Sequence, residues 1–180
     1  MENKYNILFT LNSSYMTYGK LFINSLYDKN DMTKVDTVYL ADTGLNESDK
    51  EYFNNYPHIK IIDTNVVSDF NEGGIWGKGW QSSVISKTRS LYDILMQTDI
   101  PVMMIDADCI IMKDLSPLIS KEINIQLCCR KPHHVPYLGS FVIIHPTQDG
   151  LGFVIQWIMN IDNNDSPNAK ESPMLGKTVQ

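Results

Sequence analysis

Short apolar runs and helical apolar stripes take turns along the chain. Ile7-Leu8-Phe9-Thr10-Leu11 is a run of the kind a buried strand shows, and Tyr18, Leu21, Phe22, Ser25 and Leu26 then recur at helical spacing. Residues 35–41 alternate as a second strand. Asn46 stands where it can cap a helix whose first turn carries Glu47 and Asp49. That helix is expected to run through Tyr52 and Phe53 until Pro57 stops it. Residues 58–63 read as a third strand. The clearest helix is 82–97, with Val84, Ile85, Thr88, Leu91, Tyr92, Leu95 and Met96 on one stripe. Residues 101–105 and 109–112 predict two strands around a three-residue break, and 123–129 and 137–144 predict two more. Leu151, Val154, Ile155 and Ile158 define a late amphipathic helix. Strands alternating with helices predict an α/β fold: a Rossmann-like, mixed and mostly parallel central sheet flanked by helices.

Two stretches break the pattern. Between Thr64 and Gln81, Gly73, Gly74, Gly77 and Gly79 surround Trp76 and Trp80 in a segment too long for an ordinary connection. It reads either as a surface loop or as a lid over a ligand, and the two tryptophans favour the lid. Residues 163–168 are a polar loop.

Composition narrows the partners. The 180 residues suit one domain, 1–180, and 15 Lys+Arg against 21 Asp+Glu leave a net charge of −6. Nucleic acid and anionic membranes reward clustered cations, so neither is expected as the main partner. An anionic small ligand remains open, because a metal can reverse the local field. Cys109, Cys128 and Cys129 are too few for a disulfide scaffold and read as reduced thiols. The first residues lack the basic and apolar regions of a signal peptide, and no apolar stretch approaches the roughly 20 residues of a membrane span. The expectation is a soluble, cytoplasmic protein, its oligomeric state open.

The break at Asp106-Ala107-Asp108 carries the chemistry. With 15 Asp in the chain, such a tripeptide is expected about once by chance, so its setting matters more than its presence. Apolar residues run straight into the first Asp and resume after the second. Two carboxylates at the end of a buried strand need pairing or a metal, and open α/β sheets bind ligands at that edge. Hard oxygen ligands of this kind suit Mn²⁺ or Mg²⁺ carrying a diphosphate. On the preceding helix, Arg89 and Lys87 fall at opposite flanks of the apolar stripe, where a cation either snorkels to water or holds phosphate oxygens. His133 and His134 point to opposite sides of an extended segment and cannot readily chelate one ion. His145 reads as an ordinary strand-end residue.

These segments together resemble a known family. Lys87-Thr88-Arg89-Ser90-Leu91-Tyr92-Asp93-Ile94-Leu95, the apolar run into Asp106-Ala107-Asp108-Cys109-Ile110-Ile111, and Lys113-Asp114-Leu115 are similar to the GT-A nucleotide-sugar glycosyltransferases, nearest the family 8 type. Asn6-Ile7-Leu8-Phe9-Thr10-Leu11-Asn12, with Tyr15 and Tyr18 behind it, resembles their first strand. Residues 137–144 take the place of their Phe-Asn-x-Gly-Val strand, and Glu171-Ser172-Pro173-Met174-Leu175 is similar to their Asp-Gln-x-x-Leu.

The resemblance implies a metal-dependent, retaining glycosyltransferase that moves a sugar from a UDP-sugar to an unknown glycan or other acceptor. Asp106 and Asp108, flanking Ala107, would hold the metal on the donor diphosphate. Thr10, Leu11, Asn12 and Tyr18 would frame the nucleoside, and Arg89 with Lys87 would face the donor. Gly139 and Ser140 would lie near the donor sugar, as would Glu171 and Ser172, the nominated catalytic residues. The family's Asn-x-Gly is Leu138-Gly139-Ser140-Phe141 here, and its Asp-Gln is Glu171-Ser172. Relatives supply a third metal ligand, often His, from a later segment, yet no His follows His145. The expectation is a minimal member, or one lacking its C-terminal portion.

Two other readings compete. A non-catalytic nucleotide-sugar-binding module would keep the pocket without the transfer. A phosphotransferase of the haloacid dehalogenase type also places Asp-x-Asp after an apolar strand, but needs a later Lys and a further acidic pair, which the later acids do not form.

Overall fold

A computed structural model describes residues 4–66, 78–130, 134–164 and 171–179. The expected lid, 64–81, falls mostly outside them, with 64–66 and 78–81 described, and so do His133 and most of the 163–168 loop.

Six strands form one sheet in the order β3-β2-β1-β4-β6-β5. They are β1 (Tyr5–Leu11), β2 (Val35–Asp42), β3 (Ile59–Asp63), β4 (Val102–Ile105), β5 (Ile125–Cys129) and β6 (Tyr137–Ile144). The pairings of β1 with β2 and β4, and of β2 with β3, are parallel, whereas β6 runs antiparallel to both β4 and β5. Among the described residues five α-helices accompany them: α1 (Met16–Lys29), α2 (Glu47–Asn54), α3 (Lys78–Leu95), α4 (Gln148–Asp162) and α5 (Glu171–Thr178). The predicted class is the one observed.

Burial explains which strands were easiest to read. β1 is covered on both faces, so it shows the continuous apolar run of an interior strand rather than an alternation. Tyr5, Ile7, Phe9 and Leu11 face one core with Phe22, Ile23 and Leu26 of α1 and Phe53 of α2. Leu8 faces the other core, with Met104 and Val142 of the sheet, Leu91 and Ile94 of α3, Trp157 of α4 and Leu175 of α5. Asn46 caps α2 as expected, its side chain accepting from the Asp49 N–H at 2.9 Å.

Three expectations are corrected. Residues 109–112 are not a strand. Ile110 and Met112 are 59% and 73% exposed, while Ile111 is buried in the core and Cys109 packs against it. This segment bonds to α1 instead of to the sheet: the Ile111 N–H donates to Ser25 Oγ (3.0 Å) and the Leu115 N–H to Asn30 Oδ1 (2.9 Å). An apolar run looks the same whether its partner is a strand or a helix. The stripe of α4 is also rotated. Its buried residues are Gly150, Val154, Trp157 and Ile161, and Ile155 is exposed, because Trp157 takes the core position. On α3, Ile94 is buried and Met96, beyond the helix end, is exposed.

Asn30 is the fastening at the base of this arrangement. Its Oδ1 accepts from both the Tyr5 hydroxyl (2.9 Å) and the Leu115 N–H, joining β1, α1 and the segment that leaves the Asp pair. Substituting Asn30→Ala strands both donors in a buried site and is expected to destabilise the fold by about 1–3 kcal/mol. Urea denaturation checks this, and a change within about 0.5 kcal/mol, the range of ordinary surface substitutions, would contradict it.

Candidate active site

The carboxyl ends of β1 and β4 lie side by side where the strand order reverses, the place open α/β sheets use for ligands. Ile105 ends β4 inside the core, and the Cys109 N–H donates to Asp106 O (3.1 Å) to close a tight turn. Ala107 is tucked in, leaving Asp106 half-buried and Asp108 exposed. The Asp106 N–H donates to Ser140 O (2.9 Å), so β6 holds the turn from the other side.

At the end of β1, Asn12 is buried and its side chain accepts from the Tyr15 N–H (3.1 Å), while Thr43 Oγ1 donates to Leu11 O (3.1 Å). Tyr15 and Tyr18 stack with ring centroids 5.4 Å apart, Tyr18 half-exposed. Burial and the nearby charge of Asp108 both push the Tyr15 hydroxyl above its ordinary pKa, which puts this aromatic pair beside the Asp turn. Thr10 Oγ1 is buried without a hydrogen-bond partner. Leu8 pairs with Met104, so carrying the register on by two residues sets Thr10 level with Asp106 on the α3 face. Burial and the neighbouring charge of Asp106 push the Asp108 carboxyl up.

Behind Asp106 lies a charge cluster. The Lys87 side chain is 4% exposed and pairs with Asp106 Oδ1, with Glu171 Oε2 at 3.2 Å, and with Gly139 O at 3.3 Å. Glu171 opens α5, with Thr88 Oγ1 3.5 Å from its Oε1 and the Trp157 indole N–H donating to its backbone carbonyl (2.9 Å). The Gly139 N–H donates to Ser172 Oγ (2.9 Å). Burial drives the Glu171 carboxyl up to about 8 against the attraction of Lys87, and the charge of Asp106 adds to the rise. Burial disfavours the Lys87 ammonium, but the carboxylates of Asp106 and Glu171 outweigh it and hold its pKa above the usual lysine value. One cation among two carboxylates leaves a buried negative charge in excess, and the most enclosed acid, Glu171, takes the proton that removes it.

The structure therefore gathers Thr10, Leu11, Asn12, Tyr18, Asp106, Ala107 and Asp108 at the strand ends. Lys87, Gly139, Ser140, Glu171 and Ser172 form the layer behind. Arg89 stands apart, half-exposed and paired with Asp162 of α4 at 2.8 Å. The sequence sets both cations at flanks of the apolar stripe and gives no sign of the anchoring roles of Thr88 and Trp157. The one signal that Lys87 turns inward is its place four residues before the buried Leu91. Among the described residues no group of three or more His, Cys, Asp or Glu side chains is disposed to hold a metal ion, and no helix is long and apolar enough to cross a membrane.

No protein-family model matches the chain, and no curated protein matches it in sequence. Solved structures do. An active-site mutant of LgtC aligns over 95% of this chain and 69% of its own, with a TM-score of 0.67 and 15% identity. The galactosyltransferase LgtC in complex with donor and acceptor sugar analogs gives 0.62 at 14% identity. The bifunctional glycosyltransferase WbbM aligns over 99% of this chain but 38% of its own (0.67, 10% identity). The glycosyltransferase GlyE of Streptococcus pneumoniae TIGR4 aligns over 97% and 43% (0.63, 15% identity). The fold is thus that of the GT-A glycosyltransferases, and the chain spans about two-fifths of the length of WbbM and GlyE.

Two outcomes follow from the buried cluster. A Cβ built at Gly139 would meet the Glu171 side chain at 2.5 Å, so Gly139→Ala is expected to destabilise the protein by about 1–3 kcal/mol. The penalty shrinks when Glu171 is shortened to Ala, and equal penalties in both backgrounds would refute the contact. Because the folded-state pKa of Glu171 is raised, its contribution to stability is complete below the unfolded value near 4.5 and is lost as pH rises through about 8. Thermal midpoints of the wild type measured from pH 5 to 8 should fall relative to those of Glu171→Gln. Parallel curves would remove the assignment.

Proposed function

We propose that the chain is a metal-dependent glycosyltransferase module that transfers a sugar from a nucleoside diphosphate donor, a UDP-sugar, to an acceptor hydroxyl. The observation that carries this reading is the pair of carboxylates at the end of β4, beside the end of β1, in a fold shared with glycosyltransferases. LgtC has been captured with donor and acceptor sugar analogs, which supports a sugar donor and a sugar acceptor for this site too.

The residues fit a divalent ion. Asp106 and Asp108 offer hard oxygens, and the Asp108 carboxyl is raised by burial first and by the charge of Asp106 second, the part that a cation relieves. Thr10 adds an unsatisfied buried hydroxyl on the same side. When bound there, Mn²⁺ or Mg²⁺ would offset the negative charge that develops on a departing diphosphate. The chain's own groups do the rest. Thr10, Leu11 and Asn12 frame the nucleoside with backbone atoms at the end of β1, and the ring of Tyr18 closes that side. Gly139 and Ser140 back the place of the donor sugar, and the lack of a side chain at Gly139 leaves room for Glu171 behind Lys87. Retention is the expected stereochemical outcome. An inverting reaction needs a carboxylate base at the acceptor hydroxyl, and Glu171, the late acid that sequence nominates, is enclosed behind Lys87 and favours its protonated form.

The absence of a three-ligand group among the described residues favours one second reading, a module that binds the nucleotide sugar without transferring it. The phosphotransferase reading has little left, since Asp149 and Asp162 lie on α4, bonded to Asn124 and Arg89.

A thermal-shift panel of UDP, GDP, CDP and their sugars, with and without Mn²⁺, tests the proposal. A metal-dependent stabilisation by UDP that disappears in Asp108→Ala is expected, together with slow hydrolysis of the UDP-sugar. Binding without hydrolysis or transfer would make the binding module the function, and no shift with any nucleotide would overturn both readings.

A further inference from the structure

Lys87 is enclosed where the end of β4, β6 and α5 converge, and it bonds to all three. An ammonium has three protons to donate and no acceptor capacity. Its three partners here are Asp106 Oδ1, Glu171 Oε2 and Gly139 O, one from each of the turn after β4, the N-terminus of α5 and β6. With a side chain 4% exposed and every proton committed, it has nothing left to give a phosphate. Its partners are fixed in turn. The Glu171 carbonyl accepts from Trp157, Ser172 accepts from the Gly139 N–H, and the Asp106 N–H is tied to Ser140.

We infer that Lys87 is a positioning residue: it immobilises Asp106 by holding Oδ1, so that Asp106 presents its second oxygen, Oδ2, to the metal of the donor complex. Glu171 is the rear anchor of this device. Without it, the ammonium would have only Asp106 and a carbonyl to hold it, and could follow the carboxylate towards a ligand. The inference rests on the glycosyltransferase reading, and it departs from the role the family resemblance implies for Lys87, that of facing the donor. Arg89, turned towards Asp162, does not substitute for it.

The two roles separate by calorimetry with UDP, measured with and without Mn²⁺, in the wild type, Lys87→Met, Asp106→Asn and the double variant. A positioning role leaves metal-free UDP affinity unchanged in Lys87→Met. It lowers the gain in affinity that Mn²⁺ confers by about 10–100-fold, the usual effect of removing a group that orients a metal ligand. The double variant should then be no worse than Asp106→Asn, because both changes remove one interaction. Equal losses with and without metal would overturn the inference in favour of a direct phosphate contact. An unaltered Mn²⁺ gain would overturn it in favour of a purely structural lysine. Should Lys87→Met fail to fold, Lys87→Met/Glu171→Gln, read against Glu171→Gln, carries the same comparison with the rear anchor neutralised in both. A wild type showing no Mn²⁺-dependent UDP binding would instead sink the functional reading itself, an outcome distinct from a wild type that binds and a Lys87 variant that binds equally well.

Discussion

Burying an ammonium is unfavourable by several kcal/mol unless acceptors close around it, and the architecture of this protein is arranged so that they do. Lys87 rises from the middle of α3 into a space bounded by the end of β4, by β6 and by α5. Each of these contributes one oxygen. The antiparallel β6, already paired with β4, and the late helix α5 are thereby tied to the turn after β4 at this point. With one cation set between two carboxyl groups, burial raises the pKa of Glu171, the most enclosed of the acids, against the attraction of Lys87.

This constraint divides the site by task. The β1–β2–β3 side, with α1 and α2, supplies backbone and an aromatic pair at the end of β1, surfaces suited to a nucleoside. The β4–β6–β5 side, with α3, α4 and α5, supplies charge and rigidity. Within the sheet the two sides meet along β1 and β4, through the three register pairs from Asn6↔Val102 to Leu8↔Met104, and α3 packs across that seam onto Leu8 and Ala41. The Asp turn stands at the end of that seam. It is steadied by β6 on one side and by the run of 109–115 along α1 on the other.

Much of this was legible in the sequence because burial writes itself as composition. The apolar runs of β1, β4 and β6 and the capped start of α2 needed no tertiary knowledge. The acids at the end of β4 stood out because carboxylates rarely follow four core residues without a reason. What could not be read depended on partners distant in the chain. The segment 109–112 is as apolar as a strand, but its backbone finds Ser25 and Asn30 rather than a neighbouring strand. Counting aliphatics set the phase of α4 wrongly, because Trp157 and Gly150 outweigh Ile155 in the real packing. The inward turn of Lys87 could not be read either, because cations at the flank of an apolar stripe usually reach out to water. Only the arrival of Glu171 and Asp106 makes the inward direction the better one.

The contact between Gly139 and Glu171 reaches beyond the energetics of one protein. The absence of a side chain at position 139 is dictated by the length of the side chain at position 171, since any Cβ there would occupy the space of the Glu171 methylene and carboxyl. The two positions therefore form a single unit of heritable variation. A change that shortens residue 171 gains the freedom to place a side chain at position 139, and one that keeps the glutamate is confined to glycine there. Divergence along β6 is then channelled through α5, a helix whose role at first sight is only to close the fold.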